Sequence, residues 1–294
     1  MIIIHDTDAD GLMAACLVAE ATNEVVQCIG VTPSDFKVKA RDLLLVKDKI
    51  VVVDLCPDEQ LADEAYLFNG NIEIYDHHNT SKWLKDKPYG HHDINHSACG
   101  LVKSILFPRV EFDSESNHLL WLCDYIEDRD IWQFKLPETK AINAALASEL
   151  ILAPTQMRTA AYNMYNAIDE TINFGKKLVR AQENSINKKL LEYNKNFLEL
   201  KLGYVYDDSS TDENLLVPTI NYTSSPSDLL HEAIKRFNLE VASSFFIVGS
   251  NVVVSLRADN KFDVSKLAKA YGGGGHKNAA GFTITLNELS RILK

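Results

Sequence analysis

Cysteine is scarce and unpaired in this chain. Five residues, Cys16, Cys28, Cys56, Cys99 and Cys123, all lie in the first 123 positions, and no C-x-x-C pair occurs among them. An odd count at these spacings fits neither a disulfide framework nor a zinc knuckle, so the thiols read as reduced, mostly buried small hydrophobes. Long apolar runs are missing as well: nothing approaches the roughly 18 apolar residues of a membrane span, and no membrane partner is expected. The opening Met1-Ile2-Ile3-Ile4-His5-Asp6 has no basic region leading into a long apolar one, so no secretory signal is read and a cytoplasmic location is expected. Basic charge is in deficit: 30 Lys and Arg stand against 41 Asp and Glu, a net −11. Residues 201–294 carry ten side chains of each sign, so the whole excess falls in residues 1–200. A protein that grips long nucleic acid needs many cationic contacts to phosphate, so no stable long nucleic-acid complex is expected. An acidic site for divalent cations would account for part of the excess.

The 294 residues, 46% hydrophobic and 24% charged, suffice for two ordinary domains at about 150 residues each. Short β-branched runs at Ile2 to Ile4, Val25 to Val31, Ile50 to Val53 and Ile72 to Tyr75 alternate with helix-like stretches such as Leu12 to Ala21 and Glu59 to Phe68. That alternation predicts a parallel α/β sheet, and continuous rather than alternating apolar strands predict cover on both faces. Helices are predicted over Ala98 to Leu106, with Ser97 as N-cap, over Glu115 to Tyr125 and over Glu138 to Leu150. From Gln156 to Leu198 apolar residues recur at helical spacing, interrupted only by Gly175, which predicts a long connecting helix or helix pair. After an acidic loop at Asp207 to Asn214, strands at Leu215 to Tyr222, Ser243 to Val248 and Asn251 to Leu256, with a helix at Ser227 to Arg236, make a smaller second α/β domain. The expected architecture is therefore α/β throughout, with a parallel-sheet domain and helical connector at 1–195 and a smaller domain at 196–294.

Ligands of open parallel sheets bind beyond the carboxyl ends of the strands, and three strands here end in candidate metal ligands. The first runs into His5-Asp6-Thr7-Asp8-Ala9-Asp10-Gly11, the third into Asp54, the fourth into Asp76-His77-His78. Each has a plain structural reading alone: a capped helix start, a loop-opening acid, a surface histidine pair. Their joint occurrence on one rim argues for cations, because so many like charges repel each other without them. Carboxylate oxygens with imidazoles suit Mn²⁺, with Mg²⁺ as the alternative, better than a structural zinc. Two such ions bridged by a carboxylate serve in-line displacement at phosphorus. A glycine run near the C-terminus, Gly272 to Gly275 before His276 and Lys277, lets backbone amides approach an anion, and Arg257 is the natural phosphate contact. His91, His92 and His96 cluster in a Pro- and Gly-bearing loop with only Asp93 nearby. Trp83, Trp121 and Trp132 read as core residues rather than stacking platforms.

The set Asp6-x-Asp8-x-Asp10-Gly11, Val53-Asp54 and Asp76-His77-His78 resembles the DHH phosphoesterases. Ser255-Leu256-Arg257, Asp263-Val264-Ser265 and Gly272 to Phe282 are similar to the DHH-associated C-terminal domain, so the resemblance spans nearly the whole chain in the family's order. It implies that Asp8, Asp10, Asp54 and His77 are metal ligands, with Asp54 bridging, and that His78 sits beside the phosphate or orients the attacking water. Asp54 and His78 are thus the catalytic candidates. Several branches of the family carry histidine where this chain has Asp6, whereas RecJ-type exonucleases carry aspartate, so Asp6 is the expected ligand and His5 its competitor. A further aspartate is implied from a helix end. Glu127-Asp128-x-Asp130-x-Trp132 resembles the nano-RNase branch and points to Asp128, with Asp124 and Asp130 as alternatives.

The resemblance implies a metal-dependent phosphodiesterase, exonuclease-like and using two metals, whose C-terminal domain binds substrate through Arg257, Gly273, Gly274, Gly275 and His276. The acidic balance and small second domain favour short single-stranded oligonucleotides or dinucleotides as substrates, cut to mononucleotides. The competing readings are a phosphatase for a small phosphorylated metabolite, of the phosphoadenosine phosphate or polyphosphate type, and a cyclic-dinucleotide hydrolase. A catalytically dead binding module is disfavoured by the intact acidic and histidine set.

Overall fold

The computed structural model describes every residue except 23, 109–116, 194–195, 206–211 and 260, and of residues 204–205 and 212–213 the backbone alone. The β-branched runs form β1 (Ile2–His5), β2 (Gln27–Gly30), β3 (Ile50–Val53) and β4 (Ile72–Asp76), and a fifth strand, β5 (Gly90–His92), arises where a loop is expected. All pair in parallel, in the order β2-β1-β3-β4-β5. Period-two alternation sorts the strand side chains onto two cores. Ile3, Val51, Val53 and Tyr75 pack on one face with helix α1 (Ala9–Ala21). Ile4, Ile50, Val52, Ile72 and Ile74 pack on the other with α2 (Pro33–Leu44) and α3 (Glu59–Asn69). The strands β1, β3 and β4 are covered on both faces, as continuous apolar runs require. At the edge β2 is shorter than predicted, and Val25 before it is 93% exposed.

The predicted helix after Ser97 forms as α4 (Ala98–Leu106), with Ser97 Oγ accepting from the Gly100 amide at 3.2 Å. Then come α5 (Asn117–Asp130) and α6 (Thr139–Ala147); the predicted start at Glu115 lies outside the described residues. The connector is a pair, α7 (Pro154–Asn166) and α8 (Ile168–Tyr193), separated at Ala167. Gly175 lets α8 meet α6 backbone to backbone, since a Cβ there would stand 1.9 Å from the Ala141 carbonyl oxygen.

The chain divides into two units between Arg180 and Ala181, inside α8; the boundary expected near residue 195 lies outside the described residues. The second unit carries a six-stranded sheet in the order β10-β11-β9-β8-β7-β6. Its elements are β6 (Leu198–Val205), β7 (Asp212–Asn221), α9 (Pro226–Phe237), β8 (Val241–Val248), β9 (Asn251–Ala258), α10 (Val264–Ala270), β10 (Gly274–His276), β11 (Ala279–Thr285) and α11 (Leu286–Ile292). Only β7 and β8 pair in parallel. Residues 207–211 of the expected acidic loop lie outside the described residues, and Asp212 to Asn214 belong to β7.

Candidate metal centre

From β1 the chain moves to β2 on one side and then to β3 on the other. The connections therefore diverge between β1 and β3 and open a crevice beyond their carboxyl ends. Into that crevice β1 delivers Asp6, Asp8 and Asp10. Asp8 caps α1, accepting from the Gly11 amide at 3.0 Å. Asp10, in the first turn, is held across the unit: its carboxylate accepts from the Ala98 and Cys99 amides at 2.7 and 2.9 Å. Those are orphan donors of the α4 N-terminus, which favours a negative charge.

From β3 comes Asp54. It turns left-handed (φ 59), a conformation uncommon for non-glycine residues and costing about 1–3 kcal/mol. Its amide stays tied to the Tyr75 carbonyl at 2.9 Å. From β4 come Asp76, His77 and His78. His77 Nε2 lies 3.4 Å from Asp54 Oδ1, 3.6 Å from Asp130 Oδ2 and 3.7 Å from Asp10 Oδ2. His78 Nδ1 donates to Asp76 Oδ1 at 2.7 Å, and the other Asp76 oxygen accepts from Ser81. The His78 carbonyl accepts from Ser81 Oγ and from His92 Nε2, both at 2.8 Å.

Three donor groups result, each with ligand atoms within 4.8 Å of one another: Asp6, Asp8 and Asp54; Asp10, Asp54 and His77; and Asp54, Asp76 and His78. Asp54 belongs to all three. Its Oδ1 is buried without a hydrogen-bond donor, an arrangement that costs about 1–3 kcal/mol when nothing covers the oxygen. Hard oxygen donors with one or two imidazoles, grouped around a shared orphan carboxylate, fit divalent cations of the Mn²⁺ or Mg²⁺ kind. His5 points elsewhere: Nδ1 donates to the Asp6 carbonyl at 2.6 Å and the ring packs beside Gly30. Of the two competitors Asp6 is the one at the cluster.

In the second unit the glycine run is not a cradle from end to end. The amides of Gly272 and Gly273 close α10, donating to the Lys269 and Ala268 carbonyls at 3.0 and 2.8 Å. Gly273 therefore has no amide to offer an anion, which corrects the expectation placed on it. Gly274 to His276 are the edge strand β10. There Gly275 takes φ 132, and a Cβ would stand 2.6 Å from the Ala279 carbonyl oxygen. Arg257, on β9, donates to the Leu256 carbonyl at 2.7 Å and to Ser227 Oγ.

Residues 217–294 match the DHHA1 domain. Two curated relatives, 23% and 22% identical, align over 80% and 81% of this chain, which spans only 53% and 60% of their lengths. The second of them is Oligoribonuclease NrnB of Bacillus subtilis. The Asp-His-His rim in one unit and the DHHA1 match in the other agree: together they support a DHH-family phosphoesterase. Solved structures share the fold. An exopolyphosphatase-related protein of Bacteroides fragilis superposes with TM-score 0.52 at 17% identity over 99% of this chain and 88% of its own. RecJ of Thermus thermophilus in complex with Mn²⁺ does so with TM-score 0.50 at 13% identity over 98% of this chain and 50% of its own.

The helix-end aspartate that reaches the cluster is Asp130 rather than Asp128. The Asp128 carboxylate is occupied: it accepts from the Lys135 and Leu136 amides at 2.8 and 3.1 Å and from Thr139 Oγ1. Asp124 faces away, paired with Lys103. Asp76, Ser81 and His92 hold His78. Asp76 and His92 stand out in the sequence, one in the Asp-His-His triplet and the other in a histidine cluster, whereas Ser81 carries no sequence signal, because only the fold brings it beneath His78.

Burial, then the neighbouring Asp8, pushes the Asp6 carboxyl up to about 7. Desolvation within the cluster, then Asp10, raises Asp8, Asp54 and Asp130 as well, Asp54 being buried while Asp8 and Asp130 still reach solvent. These native carboxyls retain protons that the unfolded chain releases near pH 4, so their contribution to the stability of the metal-free protein falls as pH rises from about 4 to about 7; burial lowers His5 and His77, which offset part of that fall up to about pH 6.5. Glu73, brought down to about 2 chiefly by His91, has the opposite sign; its contribution is intact above about pH 4 and lost only below. Calorimetry with a chelator is expected to show melting several degrees higher at pH 5 than at pH 8. Saturating Mn²⁺ is expected to erase that difference, and a metal-free melting temperature that rises between pH 5 and 8 would refute the account.

Proposed function

We propose that this chain is a metal-dependent phosphodiesterase that hydrolyses short oligonucleotides or dinucleotides to mononucleotides. The observation that carries the reading is Asp54, which belongs to every donor group found among the described residues of the first unit and has a buried oxygen that accepts no hydrogen bond. Asp6 and Asp8 with Asp54 would hold one cation and Asp10 and His77 with Asp54 a second, with Asp130 beside His77. Divalent cations bound there neutralise phosphoryl oxygens and lower the pKa of water. Burial opposes charge on His78, but the Asp76 carboxylate overrides it and the ring is pushed up to about 9. In the metal-free protein His78 therefore favours the imidazolium, and its bond to Asp76 orients the ring to donate to a phosphoryl or leaving oxygen. Arg257, Gly274, Gly275 and His276 supply the second unit's contacts to substrate.

A short substrate is supported by the net charge of −11, which opposes long polyanions, and by the relative named an oligoribonuclease. The test incubates the protein with Mn²⁺ and an end-labelled dinucleotide, 5-mer and long single strand. Mononucleotides are expected fastest from the two short substrates. Silence on all three, with phosphate released instead from phosphoadenosine phosphate or polyphosphate or with a cyclic dinucleotide opened, would overturn the reading.

A further inference from the structure

Directly after Asp130 the chain does something the hydrolytic centre does not require. Within eight residues three non-glycine positions, Trp132 (φ 58), Phe134 (φ 50) and Glu138 (φ 66), adopt left-handed backbone, which L side chains rarely do. Asp128 imposes it. Its carbonyl accepts from the Gln133 and Phe134 amides at 3.0 and 3.2 Å, and its carboxylate from the Lys135 and Leu136 amides. The loop is thereby held rigid, and what it displays is aromatic. The rings of Trp132 and Phe134 meet edge to face, with centroids 4.9 Å apart. The Arg129 guanidinium lies 4.4 Å over Trp132 and 5.4 Å over Phe134, and Lys140 Nζ stands 5.5 Å from Phe134.

This Trp is not the core residue its sequence context suggests. Tyr75 and Tyr89 are 2% exposed, whereas Trp132 is 37% exposed. A loop that only joined α5 to α6 would be served by small polar residues. This one instead fixes a part-exposed indole under the Arg129 guanidinium, beside a phenyl ring that Lys140 approaches. It also does so beside the centre, because Asp130 Oδ2 lies 3.6 Å from His77 Nε2 and two residues of chain reach at most about 7 Å. That is the span of a nucleotide. Exposed aromatics with adjacent Arg and Lys are how proteins hold single-stranded bases without reading their sequence.

We infer that Trp132, braced by Phe134 and Arg129, is a stacking surface for a nucleobase of the substrate. The inference rests on the proposed phosphodiesterase reading and deepens it: preference for base-bearing substrates over bare phosphodiesters is set in the first unit. Base stacking is worth roughly 5- to 100-fold per base.

The experiment compares a 5′-phosphorylated dinucleotide with an analogue lacking one base, on the wild type, W132L and W132F. The wild type is expected to favour the complete dinucleotide by about tenfold or more in KM. W132L is expected to lose that preference and W132F to keep most of it. A wild type that does not distinguish the two substrates, or a W132L that distinguishes them as well as the wild type, overturns the inference and leaves the phosphodiesterase reading intact. If neither substrate is cut, the phosphodiesterase reading falls by itself, and binding is then decided by fluorescence. Emission of Trp132, taken as the difference between wild type and W132F, is expected to be quenched by adenosine monophosphate and not by ribose 5-phosphate. An equal response to both ligands, or none to either, rejects the stacking surface whether or not W132L folds.

Discussion

Asp54→Asn is expected to abolish metal-dependent hydrolysis, by about 10³-fold or more, and at the same time to raise the melting temperature of the metal-free protein. The two effects share one cause. Asp54 is common to three donor groups and is 3% exposed, and burial followed by Asp10, Asp8, Asp130 and Asp76 raises its pKa well above the usual carboxylate range. An ionised carboxylate there is costly without cations. Asparagine keeps the shape and tolerates the left-handed backbone (φ 59) better than most residues, so above about pH 4 the variant folds without the cost of either ionising or protonating this buried group. Each kcal/mol regained corresponds to about 2–4 °C at this chain length. What asparagine cannot do is serve as the charged, shared ligand, and losing it weakens both cation sites together. Calorimetry with and without Mn²⁺ reads the second consequence. The wild type gains about 2.7 kcal/mol at a hundredfold excess over Kd, and the variant gains little. A variant that keeps both turnover and the Mn²⁺-induced stabilisation would show that Asp54 is not the shared ligand.

Strand ends were the most legible part of this molecule, because a buried parallel strand must be apolar along its length and whatever follows it must stop the strand. Ile50 to Val53 followed by Asp54 states both rules in five residues. Ser97 was legible as a cap for the same local reason, and it proved to stand at the helix terminus on which Asp10 rests. Support from distant chain was not legible. β5 exists only because β4 offers it an edge, with Asp76 paired to His92, and its three residues Gly90, His91 and His92 have no strand signature of their own. The glycine run misled in a different way. Four glycines suggest a flexible anion cradle, yet Gly272 and Gly273 end a helix and a Cβ on Gly273 would stand 2.1 Å from the Gly281 carbonyl oxygen. Close packing against β11, rather than ligand approach, accounts for that glycine.

The neighbouring pair Asp128 and Asp130 carries the second large effect, and the two are expected to fail in opposite ways. Sequence spacing cannot separate them, since both lie in the last turn of α5. Exposure separates them, Asp128 being buried and Asp130 open to solvent, but it does not by itself say which of them faces cations. Their partners do. Asp130→Asn removes a carboxylate oxygen 3.6 Å from His77 Nε2 and leaves the loop bonds untouched, so activity is expected to fall by about 10²-fold or more while thermal stability is held or improved. Asp128→Ala strips the acceptor from two backbone amides and the Thr139 hydroxyl. Each buried donor left unsatisfied costs about 1–3 kcal/mol, and three left-handed residues then lose their clamp. A loss of about 3–5 kcal/mol is expected from Asp128→Ala, with Mn²⁺ affinity measured below the melting transition changed far less than in Asp130→Asn. Urea unfolding beside Mn²⁺ titration calorimetry separates the roles. If Asp128→Ala melted normally and lost its metal while Asp130→Asn kept it, the helix-end ligand would be Asp128 after all, and the hydrogen bonds that enclose it would be the incidental ones.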